Sequence, residues 1–100
     1  MFTKVAPAKD ITPGKMHVFT VKGQKIALAN IGGLFYSIED RCTHDDGPVA
    51  EGELRDAVIE CPRHGATFDV KTGAALSMPA VVPVKTFETQ VKDGDVYVNL

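Results

Sequence analysis

Nowhere does the chain contain about 18 or more consecutive apolar residues, so no membrane-spanning helix is available to it. The stretch from Met1 to Asp10 breaks its apolar residues with Lys4, Pro7 and Lys9, and so lacks the continuous core of a signal peptide. A cytoplasmic protein is expected. Basic residues are scarce and scattered: 11 Lys and Arg stand against 13 Asp and Glu, for a formal charge of -2. That balance excludes the clustered cationic face by which nucleic-acid binders hold phosphate. Internal repeats and low-complexity segments are missing as well. Cysteine is the telling shortage, because two residues, Cys42 and Cys61, permit either one disulfide or a shared metal site, and a reducing compartment favours the metal.

What remains is a 100-residue chain with 44% hydrophobic residues, enough for one core and too short for two ordinary domains. One domain over residues 1–100 is expected. Glycine and proline punctuate runs rich in Val, Ile, Thr and Phe, which predicts a mostly β fold. Phe2 to Ala6 reads as a first strand. Met16–Val21, Gln24–Asn30 and Leu34–Glu39 alternate apolar and polar side chains as half-buried strands do, and should pair as a meander. Lys22-Gly23 and Gly32-Gly33 supply its two tight turns, since two-residue hairpin loops demand positive φ. A last hairpin is expected from Phe87 to Val98 around Asp93-Gly94.

Between these β blocks lies Asp40 to Pro83, poor in alternation and holding both cysteines and two of the three histidines. Two motifs stand there: Cys42-Thr43-His44, followed by Gly47-Pro48, and Cys61-Pro62-Arg63-His64-Gly65, with sixteen residues between His44 and Cys61. Each places a thiolate and an imidazole on a loop tip flanked by glycine and proline. Such ligands suit zinc or iron-sulfur clusters and do not suit calcium or magnesium, which take oxygen. Structural zinc sites of mixed ligand type usually pair like with like, as Cys-x2-4-Cys and His-x3-5-His. Here each loop carries one of each, which fits two irons of unlike ligation better than one zinc.

The pattern Cys-x-His, sixteen residues, Cys-x-x-His resembles the signature of the Rieske iron-sulfur family. Gly47-Pro48, Gly65, Thr72-Gly73 and the proline-containing run Met78-Pro79-Ala80-Val81-Val82-Pro83 extend the resemblance over nearly the whole chain. It implies a Rieske-like fold of antiparallel sheets with a two-loop cluster-binding subdomain at about 41–83. It also implies one 2Fe-2S cluster held by Cys42, His44, Cys61 and His64. Family members in cytochrome complexes carry a further cysteine in each loop, and Gly47 and Arg63 occupy those places here. Those members also carry a serine and a tyrosine hydroxyl that donate to sulfur, where this chain has Ala66 and Phe68, with Thr67 the one hydroxyl between them. Loss of such donors lowers the reduction potential.

An oxygenase needs a further iron site of two histidines and a carboxylate, and only His17 is left over. The chain is therefore expected to be a carrier and not an enzyme. It is most similar to the ferredoxin component of bacterial ring-hydroxylating dioxygenase systems, which implies a flavoprotein reductase and a terminal oxygenase as partners, and a monomer when free. A small subunit of an assimilatory nitrite reductase and a zinc-binding interaction module are the alternatives. Partners would dock over Asp45 to Pro48, Arg63 and the Met78–Pro83 loop. His17 reads as a strand residue without a role, Met16 and Met78 as packing residues, and Asp45, Asp46, Glu51 and Glu53 as charges that keep loops solvated.

Overall fold

A computed structural model describes residues 1–43 and 46–100. Among these residues eleven strands run in chain order: β1 (Phe2–Pro7), β2 (Met16–Val21), β3 (Gln24–Ile31), β4 (Leu34–Glu39), β5 (Glu53–Arg55), β6 (Val58–Glu60), β7 (Thr67–Asp69), β8 (Ala75–Ser77), β9 (Thr86–Phe87), β10 (Thr89–Lys92) and β11 (Asp95–Asn99). A short 3-10 turn at Ala8–Asp10 is the only helical element among the described residues. The strands form a terminal sheet ordered β1-β11-β10, a meander sheet ordered β2-β3-β4-β9, and a distal sheet ordered β5-β6-β7-β8. Every pairing is antiparallel.

The meander forms as its turns predict. Lys22 and Gly23 take φ of 52° and 77° between the partners Val21 and Gln24, the doubly left-handed loop whose twist matches the strands it joins. Asp93 and Gly94 repeat the device, with φ of 52° and 80°, between β10 and β11. The C-terminal run departs from expectation. Instead of one strand of a hairpin, it changes sheets at Glu88: Thr86 and Phe87 pair with Ile38 and Ser37 of β4, whereas Thr89 to Lys92 pair with β11. The Thr89 hydroxyl donates to the Phe35 carbonyl (2.5 Å) at the crossing. β1 pairs with the far side of β11, so both ends of the chain meet in the terminal sheet.

β3 is not half-buried as its alternation predicts, because Ile26 to Asn30 are buried on both faces. Ile26 and Leu28 face one core with Ala6, Ile11, Val96 and Val98 of the terminal sheet side. Ala27 and Ala29 face a second core with Ile38, Val49, Ile59, Ala66, Phe68, Val70 and both cysteines. Large residues point one way and methyl groups the other, so a single strand is the wall between two cores. Its last buried residue is polar and satisfied: Asn30 Nδ2 donates to the Ile11 carbonyl and its Oδ1 accepts from the Gly33 amide, both at 2.8 Å.

The distal sheet lies within the stretch that alternation left blank. Its strands have three residues each, with one or no fully buried position, too few to display a period of two. Among the described residues no helix is long and apolar enough to cross a membrane.

Candidate metal centre

The two cysteine loops are built by the same backbone device. In the first, the Cys42 amide donates to the Gly47 carbonyl (2.7 Å) and the Asp46 amide donates back to the Cys42 carbonyl (2.7 Å). In the second, the Cys61 amide donates to the Ala66 carbonyl (2.7 Å) and the Gly65 amide to the Cys61 carbonyl (3.2 Å). Each loop thus closes from the cysteine to the fifth residue beyond it, and each reverses at the fourth through positive φ, 63° at Asp46 and 75° at Gly65. Asp46 meets that demand at little cost because aspartate tolerates the left-handed region better than most side chains do. Its carboxylate also pairs with Arg41 Nε at 3.1 Å, and the guanidinium reaches Glu39 at 3.5 Å.

Both cysteines are thiols rather than halves of a disulfide, and both are buried, at 0% and 1% exposure, in one core cluster with Val49, Ala66, Phe68 and Ala80. His64, three residues after Cys61, is exposed. His44 and Asp45 lie outside the described residues, so the structure unites two of the four expected ligands in one cluster and places a third on the solvent side of its loop. Among the described residues no preset group of three or more His, Cys, Asp or Glu side chains surrounds a metal position. The donor chemistry still fits a cluster with two irons: paired thiols inside an apolar core, with an imidazole carried by the same loop toward water.

A third loop, 78–83, closes over the first. The Thr43 hydroxyl donates to the Val82 carbonyl (2.6 Å), Ala80 enters the thiol cluster, and the Val84 amide donates to the Gly73 carbonyl (2.8 Å) where the loop rejoins the fold. Met78 is exposed to 74%, which corrects the expectation that it packs in the core, whereas Met16 does pack against the thiol cluster. Together with Leu76, Val81 and Val82 it makes this edge apolar and open to solvent.

Thr67 has a different partner from sulfur. Its hydroxyl pairs with Ser77 Oγ at 2.7 Å across β7 and β8, while its neighbours Ala66 and Phe68 are buried in the thiol cluster. The side chains near the thiols therefore bring no hydroxyl from β7. On the same sheet, Glu53 and Arg55 pair at 2.8 Å. The hydrogen bond with Arg55 holds the Glu53 carboxyl below its ordinary range, and the same contact raises the Arg55 guanidinium. His17 is an exposed residue of β2, apart from the thiol cluster.

Sequence reasoning missed two residues here. Asp40, two positions before Cys42, accepts through one carboxylate oxygen from the amides of Val49 (3.0 Å) and Ala50 (2.9 Å). Gly52 sits so close to the Glu60 carbonyl that a side chain there would overlap it. The glycine had a legible signal in its place between the motifs. Asp40 had none, since its partners are backbone amides nine and ten residues on.

Comparison with known proteins places this arrangement. A family model described as the Rieske [2Fe-2S] domain matches residues 1–88. The ferredoxin component of biphenyl 2,3-dioxygenase from Rhodococcus jostii (strain RHA1) is 41% identical over 98 residues, covering 98% of this chain and 92% of that one. The ferredoxin of carbazole 1,9a-dioxygenase from Nocardioides aromaticivorans IC177 superposes with a TM-score of 0.93 at 30% identity, covering 98% and 96% of the two chains. A ferredoxin solved in complex with the oxygenase of carbazole 1,9a-dioxygenase gives a TM-score of 0.92 at 43% identity, over 97% of this chain and 91% of that one.

Proposed function

We infer the work of this site from one premise: the chain belongs to the Rieske [2Fe-2S] domain family. It is an electron carrier of the kind that serves ring-hydroxylating dioxygenases, with one Rieske-type 2Fe-2S cluster as its cofactor. Cys42 and Cys61 hold one iron and His44 and His64 the other. When bound, such a cluster takes up and returns one electron at a time. The observation that supports this ligand set is the inequality within two loops of like build: thiols buried in a shared apolar cluster, and an imidazole of the second loop exposed.

The surrounding residues have three tasks. Val49, Ala66, Phe68 and Ala80 exclude water from the thiols. Ala66 and Phe68 offer sulfur no hydroxyl, and the Thr67 hydroxyl is engaged with Ser77. The midpoint potential therefore belongs near the low end of the Rieske range, about -150 mV. His64, Arg63, Asp46, Pro48 and the apolar residues Met78, Val81 and Val82 are all exposed, and they make up the proposed docking end. A flavoprotein reductase and a terminal oxygenase dock there in turn, each over an interface at the small, transient end of the size range. The chain works in the cytoplasm as a monomer when free, and itself catalyses no reaction on substrate. Residues 1–100 act as one domain whose cluster-binding subdomain spans about 41–83. No observation favours the nitrite reductase subunit or the zinc module.

The test is spectroscopic. Anaerobically purified protein is expected to be coloured, to bleach reversibly with dithionite, and to show a Rieske-type electron paramagnetic resonance signal that His64→Ala abolishes. A colourless protein with one zinc per chain refutes the reading, and an unchanged signal in the variant removes His64 from the ligand set.

A further inference from the structure

We propose that Asp40 is a positioning residue for the cluster site, acting through the backbone that carries Cys42 and, by way of Gly52, on the loop that carries Cys61. The proposal rests on the reading that the two cysteines are ligands. Asp40 is fixed at its own backbone, where its amide donates to the Lys25 carbonyl of β3 (3.1 Å). Its carboxylate then reaches across the mouth of the first loop. One oxygen, Oδ1, accepts from both the Val49 and the Ala50 amides, so the outgoing limb at residue 40 and the returning limb at 49–50 are gathered at one atom. Two amide donors converge on this one acceptor atom, so a single oxygen ties the two limbs together. The Cys42 to Gly47 closure sits inside this larger ring.

The ring does not end at Ala50. The Gly52 amide donates to the Val49 carbonyl (3.1 Å), and the Gly52 α-carbon presses on the carbonyl of Glu60, the residue before Cys61. Pro62, the residue after Cys61, lies farther off, its Cδ at 3.2 Å from where a β-carbon would stand, against 1.6 Å for the Glu60 carbonyl oxygen. From β3 to the second ligand loop there is thus a continuous path of backbone contacts with one side-chain carboxylate in it. The mutual placement of the two thiols is set by that path and not by the metal alone. Removing the carboxylate leaves two amides without their partner and frees the first loop to move against the second.

The experiment uses the intact holoprotein and three variants: Asp40→Ala, Asp40→Asn and Gly52→Ala. The readouts are the g-values of the reduced cluster, the rate of iron loss to a chelator under anaerobic conditions, and the melting temperature. Asp40→Asn keeps an Oδ1 acceptor and is expected to lose iron within about twofold of the parent rate, with unchanged g-values. Asp40→Ala is expected to lose iron about tenfold faster or more, with shifted or broadened g-values. Gly52→Ala, which alters neither a ligand nor the carboxylate, is expected to move in the same direction as Asp40→Ala. Should Asp40→Ala fail to fold, Gly52→Ala and Asp40→Asn decide the matter. Parent-like g-values and iron loss in Asp40→Ala or Gly52→Ala, whatever the melting temperature does, overturn the proposal. So does an Asp40→Asn variant as impaired as Asp40→Ala, because charge and not the acceptor would then matter. A parent protein with no 2Fe-2S signal strikes the ligand reading itself and is separable from these results.

Discussion

The meander and terminal sheets, compared with the segment from Asp40 to Pro83, show two ways of making antiparallel β structure. The first region uses strands of four to eight residues, apart from two-residue β9, joined largely by two-residue turns, and buries Ile26, Leu28, Val96 and Val98 between its sheets. The second uses three-residue strands and three loops, and packs Val49, Ile59, Phe68 and Val70 with two alanines around two thiols. Both regions have apolar cores, but the second adds loops that backbone hydrogen bonds close over its two thiols. The contrast teaches where occupancy of the site should matter: a bound metal adds its binding energy to the loops that carry its ligands and leaves the long-stranded sheets to their side chains.

The strongest way to break this comparison is to take the iron away. Amides of the three site loops are expected to lose hydrogen-exchange protection in the apoprotein while those of β2 to β4 keep theirs, with Val49 and Ala50 the slowest of the loop amides because Asp40 still holds them. Uniform loss across both regions would show a single cooperative unit. Next in size is Leu28→Ala, which empties part of the first core and should lower unfolding free energy by about 2–5 kcal/mol in urea titration while leaving the visible spectrum of the holoprotein unchanged. A smaller change sharpens the contrast within the site: Ala66→Ser restores a hydroxyl beside the thiols and is expected to raise the midpoint potential by on the order of 50 mV, one hydrogen bond's worth between redox states. Smallest of all is Glu53→Gln. Arg55 depresses the Glu53 carboxyl, so whatever the pair contributes is present above the ordinary glutamate range and fades as pH falls through it. Both groups are fully exposed, and the melting temperature at neutral pH should not move measurably.

The same division decides what could be read without a structure. The hairpins of the first region were legible because turn chemistry is local: Lys22-Gly23 and Asp93-Gly94 announce their φ angles by residue type. The two cysteine motifs stood out because their spacing is local too, and the structure brings both thiols into one buried cluster. β3 misled because alanine at 27 and 29 looks the same whether it faces solvent or a second core. The switch at Glu88 was hidden because both halves of the run alternate correctly, each toward a different sheet. Asp40 and the Thr67–Ser77 pair join positions ten apart through contacts that no pattern of residue types encodes.

Ala27 and Ala29 put the least possible material between the β3 backbone and the thiol core. They act as spacers, setting how near the site may come to the rest of the molecule. Enlarging either to valine would leave the neighbouring core of Ile26 and Leu28 undisturbed and lift the cysteine loops as a block. Clearance at two methyl groups thus governs how deeply the redox end of this protein is seated.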